Sequence, residues 1–249
     1  MHFSSPTSRI EDGLFLPEGA SLFTRLRVAV RALKVLEKRP DDGIAAPLFN
    51  ASLDGDVFHR LCSELAKSED GRELLTTRPS LQRSNIDLAA LGRLPAGTLG
   101  NAFARYFAVN GIQPFESPYE VRNDVDYLVK WYRETHDLHH VVTGYGTDPV
   151  GEMELQAFVA GNLGLRTSVL ILLFAAVLQP QGLPPFWKYA RKVRAAYRRG
   201  QRSEKLVRIR YERLWEARVE AVRQQLGLLP STAACPPPGT CGSAGPRSS

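Results

Sequence analysis

The sequence lacks several features that would assign it to a specialised class of protein. It has three cysteines in 249 residues, and Cys235 and Cys241 lie in a C-terminal stretch far from Cys62. This arrangement offers neither a disulfide framework nor spaced thiolate metal ligands. The N-terminus carries Glu11 and Asp12 and has no apolar signal core. We therefore expect a protein that is not secreted and works in a reducing compartment.

Long apolar runs and alternating strand patterns are also missing. The most apolar run, residues 167–178, is about half of the roughly 20 residues that a membrane-spanning helix needs, and Arg166 and Pro180 border it. We predict that this run is a buried helix. Elsewhere apolar residues recur at helical spacing, and there is no internal repeat. The predicted fold class is therefore all-α, a single domain of packed helices.

Positive charge is concentrated near the C-terminus. The net charge is +6, and residues 188–223 contain thirteen Lys and Arg against four Asp and Glu. Such a block suits an anionic membrane surface, a phosphate or carboxylate ligand, or nucleic acid, and it also suits a solvated helical face. We expect no nucleic-acid partner, because the basic helices carry no recognised docking motif.

Composition divides the chain into three segments. Residues 1–20 show no periodicity and predict a flexible N-terminal segment, residues 21–229 form the helical domain, and residues 230–249, rich in Pro, Gly and Ser, predict a disordered tail. Apolar spacing predicts early helices over residues 22–36, with Ser21 as the cap, and over residues 57–65, 85–91 and 100–109, with a loop at 40–55.

The later helices have clearer boundaries. Ser117, Pro118 and Glu120 have the form of a capping box, which predicts a continuous helix from Ser117 to Gly144. A second long helix, apolar almost all round and central, is predicted over residues 148–179, because Asp and Pro stand at its start. Two basic amphipathic helices are expected from residue 184 onward.

His136, Asp137, His140 and Glu152 form the candidate site. Each residue of a helix turns by about 100°, so His136 and His140 are about 40° apart around the axis and rise by about 6 Å. Asp137 lies about 60° beyond His140, and Glu152 lies in the first turn of the next helix. Metal-binding helices use this spacing. Because two imidazoles and two carboxylates suit zinc, ferrous iron or manganese, the sequence predicts a divalent metal site and leaves the metal open.

The other histidines have different interpretations. His139 points to the middle of an apolar stripe and is expected to be a packed core residue, whereas His59 is expected at the surface. One alternative function is a metal-dependent phosphohydrolase, which needs an upstream histidine and a downstream aspartate beside the His-Asp pair. His59 is the one reasonable upstream candidate, and Glu152 stands where the aspartate would be.

The site motif resembles a family signature. His136-Asp137-x-x-His140, followed by eleven residues and Glu152, is similar to the signature of the coenzyme Q (ubiquinone) biosynthesis family known as Coq-four. The resemblance leads us to expect an aromatic residue between the two ligand histidines, where this chain has His139, so His139 stays open as an alternative ligand. The resemblance covers roughly residues 14–229 and includes Gly71-Arg72 with Arg78-Pro79, Leu94 to Gly100, Thr143-Gly144-Tyr145, and the Arg-rich end from Ala196 through Trp215 to Gly227.

The resemblance implies a function and a setting. The implied activity is a lyase reaction, the metal-dependent oxidative C1-decarboxylation of a polyprenylated 4-hydroxybenzoate, with His136, Asp137, His140 and Glu152 as metal ligands and catalytic residues, and the metal is usually zinc. The alternative is a non-catalytic lipid-binding scaffold that organises the ubiquinone biosynthetic complex. Implied partners are an isoprenoid lipid, other ubiquinone biosynthesis proteins and a second copy of the chain. The expected location is cytoplasmic, at the anionic inner face of a membrane.

We expect an apolar groove between the central helices to hold the isoprenoid tail. This groove would lie between the helix of His136 and the helix of Glu152. Gly161 and Gly164 would leave room for the lipid, or would instead allow tight packing of two helices.

Overall fold

The computed structural model describes residues 14–17, 19–39, 42–178 and 182–228 of the chain. Within these residues the structure contains helices and no strand ladder, which confirms the predicted all-α class. The α-helices are α1 (Leu22–Lys38), α2 (Ala45–Leu65), α3 (Glu69–Thr77), α4 (Leu88–Gly92), α5 (Leu99–Asn110), α6 (Asp124–Glu134), α7 (His136–Thr143), α8 (Pro149–Leu163), α9 (Arg166–Leu178), α10 (Phe186–Arg202) and α11 (Val219–Gln225). Short 3-10 turns lie at Arg83–Asn85, Leu206–Arg208 and Tyr211–Arg213.

The main core surrounds α6 and α8. Trp131 on α6 and Phe158 on α8 are fully buried, and Phe58 of α2 and Tyr211 pack in the same cluster. A smaller apolar cluster joins α1 and α2 around Leu14, which is also fully buried. Because the helices that carry the candidate site border the main core, their positions are set by burial of large side chains.

The start of α2 differs from the sequence prediction. Ser21 caps α1 as expected, since its hydroxyl accepts a hydrogen bond from the backbone N–H of Thr24. The loop predicted at residues 40–55 is wrong, because α2 begins at Ala45. The Asp42 carboxylate accepts hydrogen bonds from the N–H groups of Ile44 and Ala45 and so satisfies the first turn. Proline in that turn is compatible with a helix.

The predicted helix from Ser117 to Gly144 is also divided differently. Residues 117–121 are not helical, and α6 begins at Asp124 with Asn123 as its cap. The Ser117 hydroxyl cannot cap a helix there because it donates to the carbonyl of Gly43 and accepts from the N–H of Tyr119. At Thr135 the chain makes a turn that separates α6 from α7. α7 then ends at Gly144, as predicted.

The apolar helix predicted over residues 148–179 is two helices. It begins with an Asp148 cap and Pro149, as expected, but Gly164 has a φ of 78° and ends α8. The prediction that residues 167–178 are buried is wrong for one face of α9. That face exposes Val169, Leu173, Phe174 and Val177. Because α9 packs on α8 and α2 from one side, its other apolar side remains at the surface.

The basic C-terminal region forms a single long helix. α10 spans Phe186–Arg202, whereas the second predicted helix is reduced to the short α11 and two 3-10 turns. Among the described residues no helix combines the length and apolarity required to cross a membrane. The predicted disordered tail, residues 230–249, lies outside the described residues, and so do most residues of the predicted flexible N-terminal segment, residues 1–20.

The first turn of α9 is capped by a residue of α2. The buried Asp54 carboxylate accepts hydrogen bonds from the N–H of Arg166 at 2.6 Å, from the N–H of Thr167 at 3.2 Å and from the Thr167 hydroxyl at 2.6 Å. Arg166 also forms an exposed ion pair with Asp56 at 2.6 Å. The two carboxylates on α2 therefore contact the same helix end, one buried and one exposed.

Substitution of Asp54 tests the importance of this buried cap. We expect Asp54→Ala to lower the free energy of unfolding by about 3 kcal/mol, because buried donors lose their acceptor. The matched control Asp56→Ala removes an exposed ion pair and should cost less than about 1 kcal/mol. Urea unfolding of both variants measures the difference. Equal effects of the two substitutions would contradict the proposed capping role of Asp54.

Candidate metal centre

Three of the four predicted site residues converge between α7 and α8. His136, His140 and Glu152 each offer a ligand atom, and these atoms lie within 4.8 Å of one another. The His140 Nε2 lies 3.2 Å from Glu152 Oε2, and the His136 Nε2 lies 3.6 Å from Glu152 Oε1. The structure therefore brings together two imidazoles and one carboxylate from adjacent helices.

These separations suit a divalent ion. Donor atoms held at about 2.1 Å by one tetrahedral ion lie about 3.4 Å from one another. The two observed nitrogen-to-oxygen distances, 3.2 and 3.6 Å, are close to that value, and they end on different oxygens of the Glu152 carboxylate. Three protein ligands leave a fourth position for substrate or water, which is typical of catalytic rather than structural zinc sites.

Local structure at the start of α8 places Glu152 beside the histidines. The Asp148 carboxylate accepts hydrogen bonds from the N–H groups of Val150 and Gly151 and so fixes the first turn. A Cβ at Gly151 would lie 2.4 Å from the carbonyl oxygen of Gly146. Because Gly151 has no side chain, α8 can begin directly against the loop that follows α7. Glu152, the next residue, then faces the histidines of α7.

Neighbouring groups orient two of the three donors, His140 and Glu152. The Nδ1 of His140 lies 3.1 Å from the carbonyl oxygen of Tyr145, so a proton on Nδ1 is donated to that oxygen and the lone pair remains on Nε2. Gln156 donates a hydrogen bond of 2.8 Å to Glu152 Oε1. Such partners commonly fix the tautomer and orientation of metal ligands.

Asp137 lies on the other side of the His136 ring. Its Oδ1 is 3.6 Å from the Nδ1 of His136 and accepts a hydrogen bond of 3.3 Å from the hydroxyl of Tyr106. The ring of Tyr106 also stacks on His140 with centroids 5.8 Å apart. Asp137 is therefore placed to orient His136 through its second nitrogen, and its predicted role as a direct ligand stays a prediction.

The ionisable groups of the site influence one another. Burial by itself lowers the pKa of His136, but the carboxylates of Asp137 and Glu152 outweigh burial and raise this pKa to about 9. Burial conversely favours the neutral form of Glu152, but His136 and His140 hold the pKa of this carboxyl well below its ordinary value. The site is thus a tightly coupled cluster of opposite charges.

His139 and His59 lie where the sequence predicted. His139 is fully buried, and its Nε2 lies 3.2 Å from the Thr135 hydroxyl. Burial, together with His136 and His140, lowers its pKa well below the ordinary value, so this ring is neutral. His59 is exposed on α2 and does not join the ligand cluster. The phosphohydrolase alternative required His59 as its upstream ligand, and the position of His59 does not support that role.

A cavity of about 380 Å³ opens beside the cluster. One part of its wall is polar and consists of Asn50, Arg133, His136, Glu152, Gln156 and Thr167. The rest is largely apolar and consists of Leu33, Leu36, Ala46, Phe49, Tyr132 and Ile171. Its volume is in the range of small-molecule sites, and the division between polar and apolar walls suits a ligand with a polar head and an apolar body.

Sequence reasoning missed several residues of this site. Gln156 lies four residues after Glu152 and Arg133 three residues before His136, so helical spacing could have indicated both. Tyr106 comes from α5, and no local spacing signals its position. The two glycines considered for the lipid groove have other roles. A Cβ at Gly161 would lie 2.1 Å from the carbonyl oxygen of Tyr197, so Gly161 allows α8 and α10 to pack tightly, and Gly164 ends α8.

Comparisons with known proteins agree on one family. The sequence model of the family described as coenzyme Q (ubiquinone) biosynthesis protein Coq4 matches residues 22–232. A mouse protein named ubiquinone biosynthesis protein COQ4 homolog, mitochondrial, is 32% identical over 174 residues, which are 68% of this chain and 65% of the mouse protein. A coq4 protein from Talaromyces stipitatus is 31% identical over 218 residues, covering 82% of this chain and 73% of the fungal protein.

A solved structure shows the same fold. A Nostoc punctiforme protein described as a ubiquinone biosynthesis protein matches with a TM-score of 0.65 and 27% identity, covering 82% of this chain and 96% of that chain. The chain spans somewhat less than two thirds of the length of the mouse relative. Because the family model covers most of the described helices, the assignment rests on the whole domain as well as on the metal-site motif. The chain belongs to the Coq4 family of coenzyme Q (ubiquinone) biosynthesis proteins.

Proposed function

We propose that this chain acts in ubiquinone biosynthesis and removes the C1 carboxylate of a polyprenylated 4-hydroxybenzoate, using a divalent metal held by His136, His140 and Glu152. The observation that carries the proposal is the convergence of these side chains at the wall of a half-apolar cavity. Zinc is the favoured metal, with iron and manganese as alternatives. Membership of the Coq4 family supports a substrate that belongs to ubiquinone biosynthesis.

The side chains around the cavity have defined tasks in this reaction. The ion, when bound, supplies Lewis-acid stabilisation of negative charge that develops as carbon dioxide leaves. Leu33, Phe49 and Ile171 offer an apolar surface to the ring and its isoprenoid substituent. As the bond between C1 and the carboxyl carbon breaks, the electron pair stays on the ring, where a proton replaces the carboxyl group. In the oxidative form one atom of dioxygen becomes the ring hydroxyl and the other leaves as water, so this form also consumes two electrons from an external reductant.

We further propose that the protein works at an anionic membrane surface. α1 and α9 both line the cavity, and both expose apolar side chains, among them Phe23, Leu26, Leu173 and Val177. α10 adds exposed cationic residues near the exposed Trp187. A substrate with a long isoprenoid tail would reach the cavity from lipid through such a surface. The mouse and rat relatives are named mitochondrial, which gives no support to the predicted cytoplasmic location.

Release of labelled carbon dioxide tests the proposed activity. The purified protein, loaded with zinc, iron or manganese in parallel, is incubated with a prenylated 4-hydroxybenzoate that carries ¹³C in its carboxyl group. Labelled carbon dioxide released in proportion to enzyme is expected. If the protein binds metal and substrate but releases no label with any of the three metals, the lipid-binding scaffold replaces the decarboxylase. ¹⁸O from dioxygen in the ring hydroxyl would identify the oxidative form.

Association with other proteins is proposed on the basis of the family alone. A homodimer and contacts with other ubiquinone biosynthesis proteins stay predictions, and size measurement in solution at several protein concentrations tests the first of them.

A further inference from the structure

Arg133 has an unusual position in the cavity. It lies in the last turn of α6, three residues before His136, and lines the cavity together with His136 and Glu152. Its guanidinium carbon lies 5.0 Å from the centre of the Phe115 ring. The aromatic ring therefore supports one face of the guanidinium group, which limits the directions in which this side chain can point.

The guanidinium group lacks the partners that usually accompany a half-buried arginine. Its Nε is buried and has no hydrogen-bond partner. Throughout the described ranges, none of the ion pairs within 4.0 Å involves Arg133. The buried Nε–H has lost its hydration without gaining an acceptor, which is costly. A ligand that brings an anionic oxygen into the cavity would supply the missing acceptor.

Other charges in the cavity leave Arg133 available for a ligand. The negative charge of Glu152 is directed toward His136 and His140, and Gln156 donates to the same carboxylate. Asn50, the remaining polar residue nearby, donates to the Thr167 hydroxyl, which donates in turn to Asp54. Arg133 is thus a cation of the cavity wall that forms no ion pair within 4.0 Å in the described part of the protein, and its charge acts on the Asp137 carboxylate only over a longer distance.

We propose that Arg133 binds the carboxylate of the aromatic substrate and holds it beside the metal site. The inference rests on the proposed function, because it takes the substrate to be an aromatic acid. The planar guanidinium offers two parallel N–H donors that match a carboxylate, whereas an ammonium group is a single point of charge. With the carboxylate on Arg133 and next to His136, the ring and its tail extend along the apolar wall. Arg133 is a substrate-positioning residue.

A comparison of an acid with its neutral ester tests this proposal. The probes are 4-hydroxy-3-prenylbenzoate and its methyl ester, whose binding to the metal-loaded protein is measured by calorimetry. The variants are Arg133→Gln, Arg133→Lys and the control Arg105→Gln, which removes an exposed arginine of α5 that does not line this cavity. Metal content and thermal unfolding are measured for each variant.

We expect the natural protein to bind the acid about 10- to 100-fold more tightly than the ester, and Arg133→Gln to lose most of this preference while its affinity for the ester stays the same. Arg133→Lys should give an intermediate ratio, and Arg105→Gln should leave the ratio unchanged. An unchanged ratio in Arg133→Gln overturns the proposal, since the metal alone would then bind the carboxylate.

The outcomes separate this inference from the proposed activity. If Arg133→Gln does not fold, the ratio of acid affinity to ester affinity in Arg133→Lys tests the proposal instead. Equal binding of acid and ester by the natural protein also overturns the proposal. A preference for the acid that depends on Arg133, without release of carbon dioxide, supports the anchor and rejects the decarboxylase. If carbon dioxide is released but the preference for the acid does not depend on Arg133, the decarboxylase is supported and the role of Arg133 is rejected.

Discussion

Substitution of His140 by alanine is expected to lower carbon dioxide release from a prenylated 4-hydroxybenzoate at least about 100-fold, because a bound ion contributes several kcal/mol to stabilisation of the developing charge. His140 is buried, its Nε2 faces Glu152 at 3.2 Å, and its Nδ1 faces the carbonyl of Tyr145. The alanine variant loses one of three converging donors. Initial rates at saturating substrate, with metal content measured on the same samples, provide the comparison.

An exposed histidine provides the control for this experiment. His59→Ala removes an imidazole that lies on α2 outside the cluster, so its rate and metal content should match those of the natural protein. Thermal unfolding of His140→Ala separates loss of the ion from loss of the fold. A folded His140→Ala protein that retains the full rate would contradict the metal-centred mechanism.

Substitution of Gly161 by alanine is expected to destabilise the helical domain strongly. A Cβ at this position would lie 2.1 Å from the carbonyl oxygen of Tyr197, and a Cβ at Gly200 would lie 2.1 Å from the carbonyl oxygen of Phe158. Both obstacles are backbone atoms, so α8 and α10 would have to separate. We expect a loss of at least about 3 kcal/mol and a melting temperature lower by about 6–12 °C.

A third glycine gives the matched control. A Cβ at Gly92 meets the nearest atom, the Cβ of Ala104, at an ordinary distance of 3.7 Å. Gly92→Ala should therefore change the melting temperature by about 2 °C or less. Thermal unfolding followed by circular dichroism measures all three proteins. If Gly161→Ala has the same melting temperature as Gly92→Ala, α8 and α10 do not pack through Gly161 and Gly200.

The candidate site was easier to predict than the boundaries of the helices around it. His136 and His140 lie one turn apart on a single helix, and Asp148 fixes the start of the next, so local spacing was enough to bring three donors together. Local patterns failed at Ser117, whose hydroxyl is occupied by Gly43, a residue 74 positions away in sequence. Such a contact leaves no local signal.

Exposure and long-range packing explain the remaining differences. The apolar composition of α9 predicted burial, yet one of its faces is exposed, because the helix packs on α8 and α2 from one side only. Tyr106 and Asp137 meet across α5 and α7, which sequence spacing cannot indicate. The expectation of a prenylated hydroxybenzoate as substrate came from the family resemblance, because spacing alone left the substrate open.

Metal content of the purified protein tests the central claim most directly. Elemental analysis is carried out on the natural protein, on Glu152→Ala and on the control Glu154→Ala. Glu154 lies two residues further on α8 and pairs with Lys192, so the experiment compares a proposed ligand with a neighbour of the same type. We predict about one divalent ion per chain in the natural protein and in Glu154→Ala, and almost none in Glu152→Ala. Equal metal content in all three proteins, or none in the natural protein after incubation with zinc, iron and manganese, would contradict the proposed site.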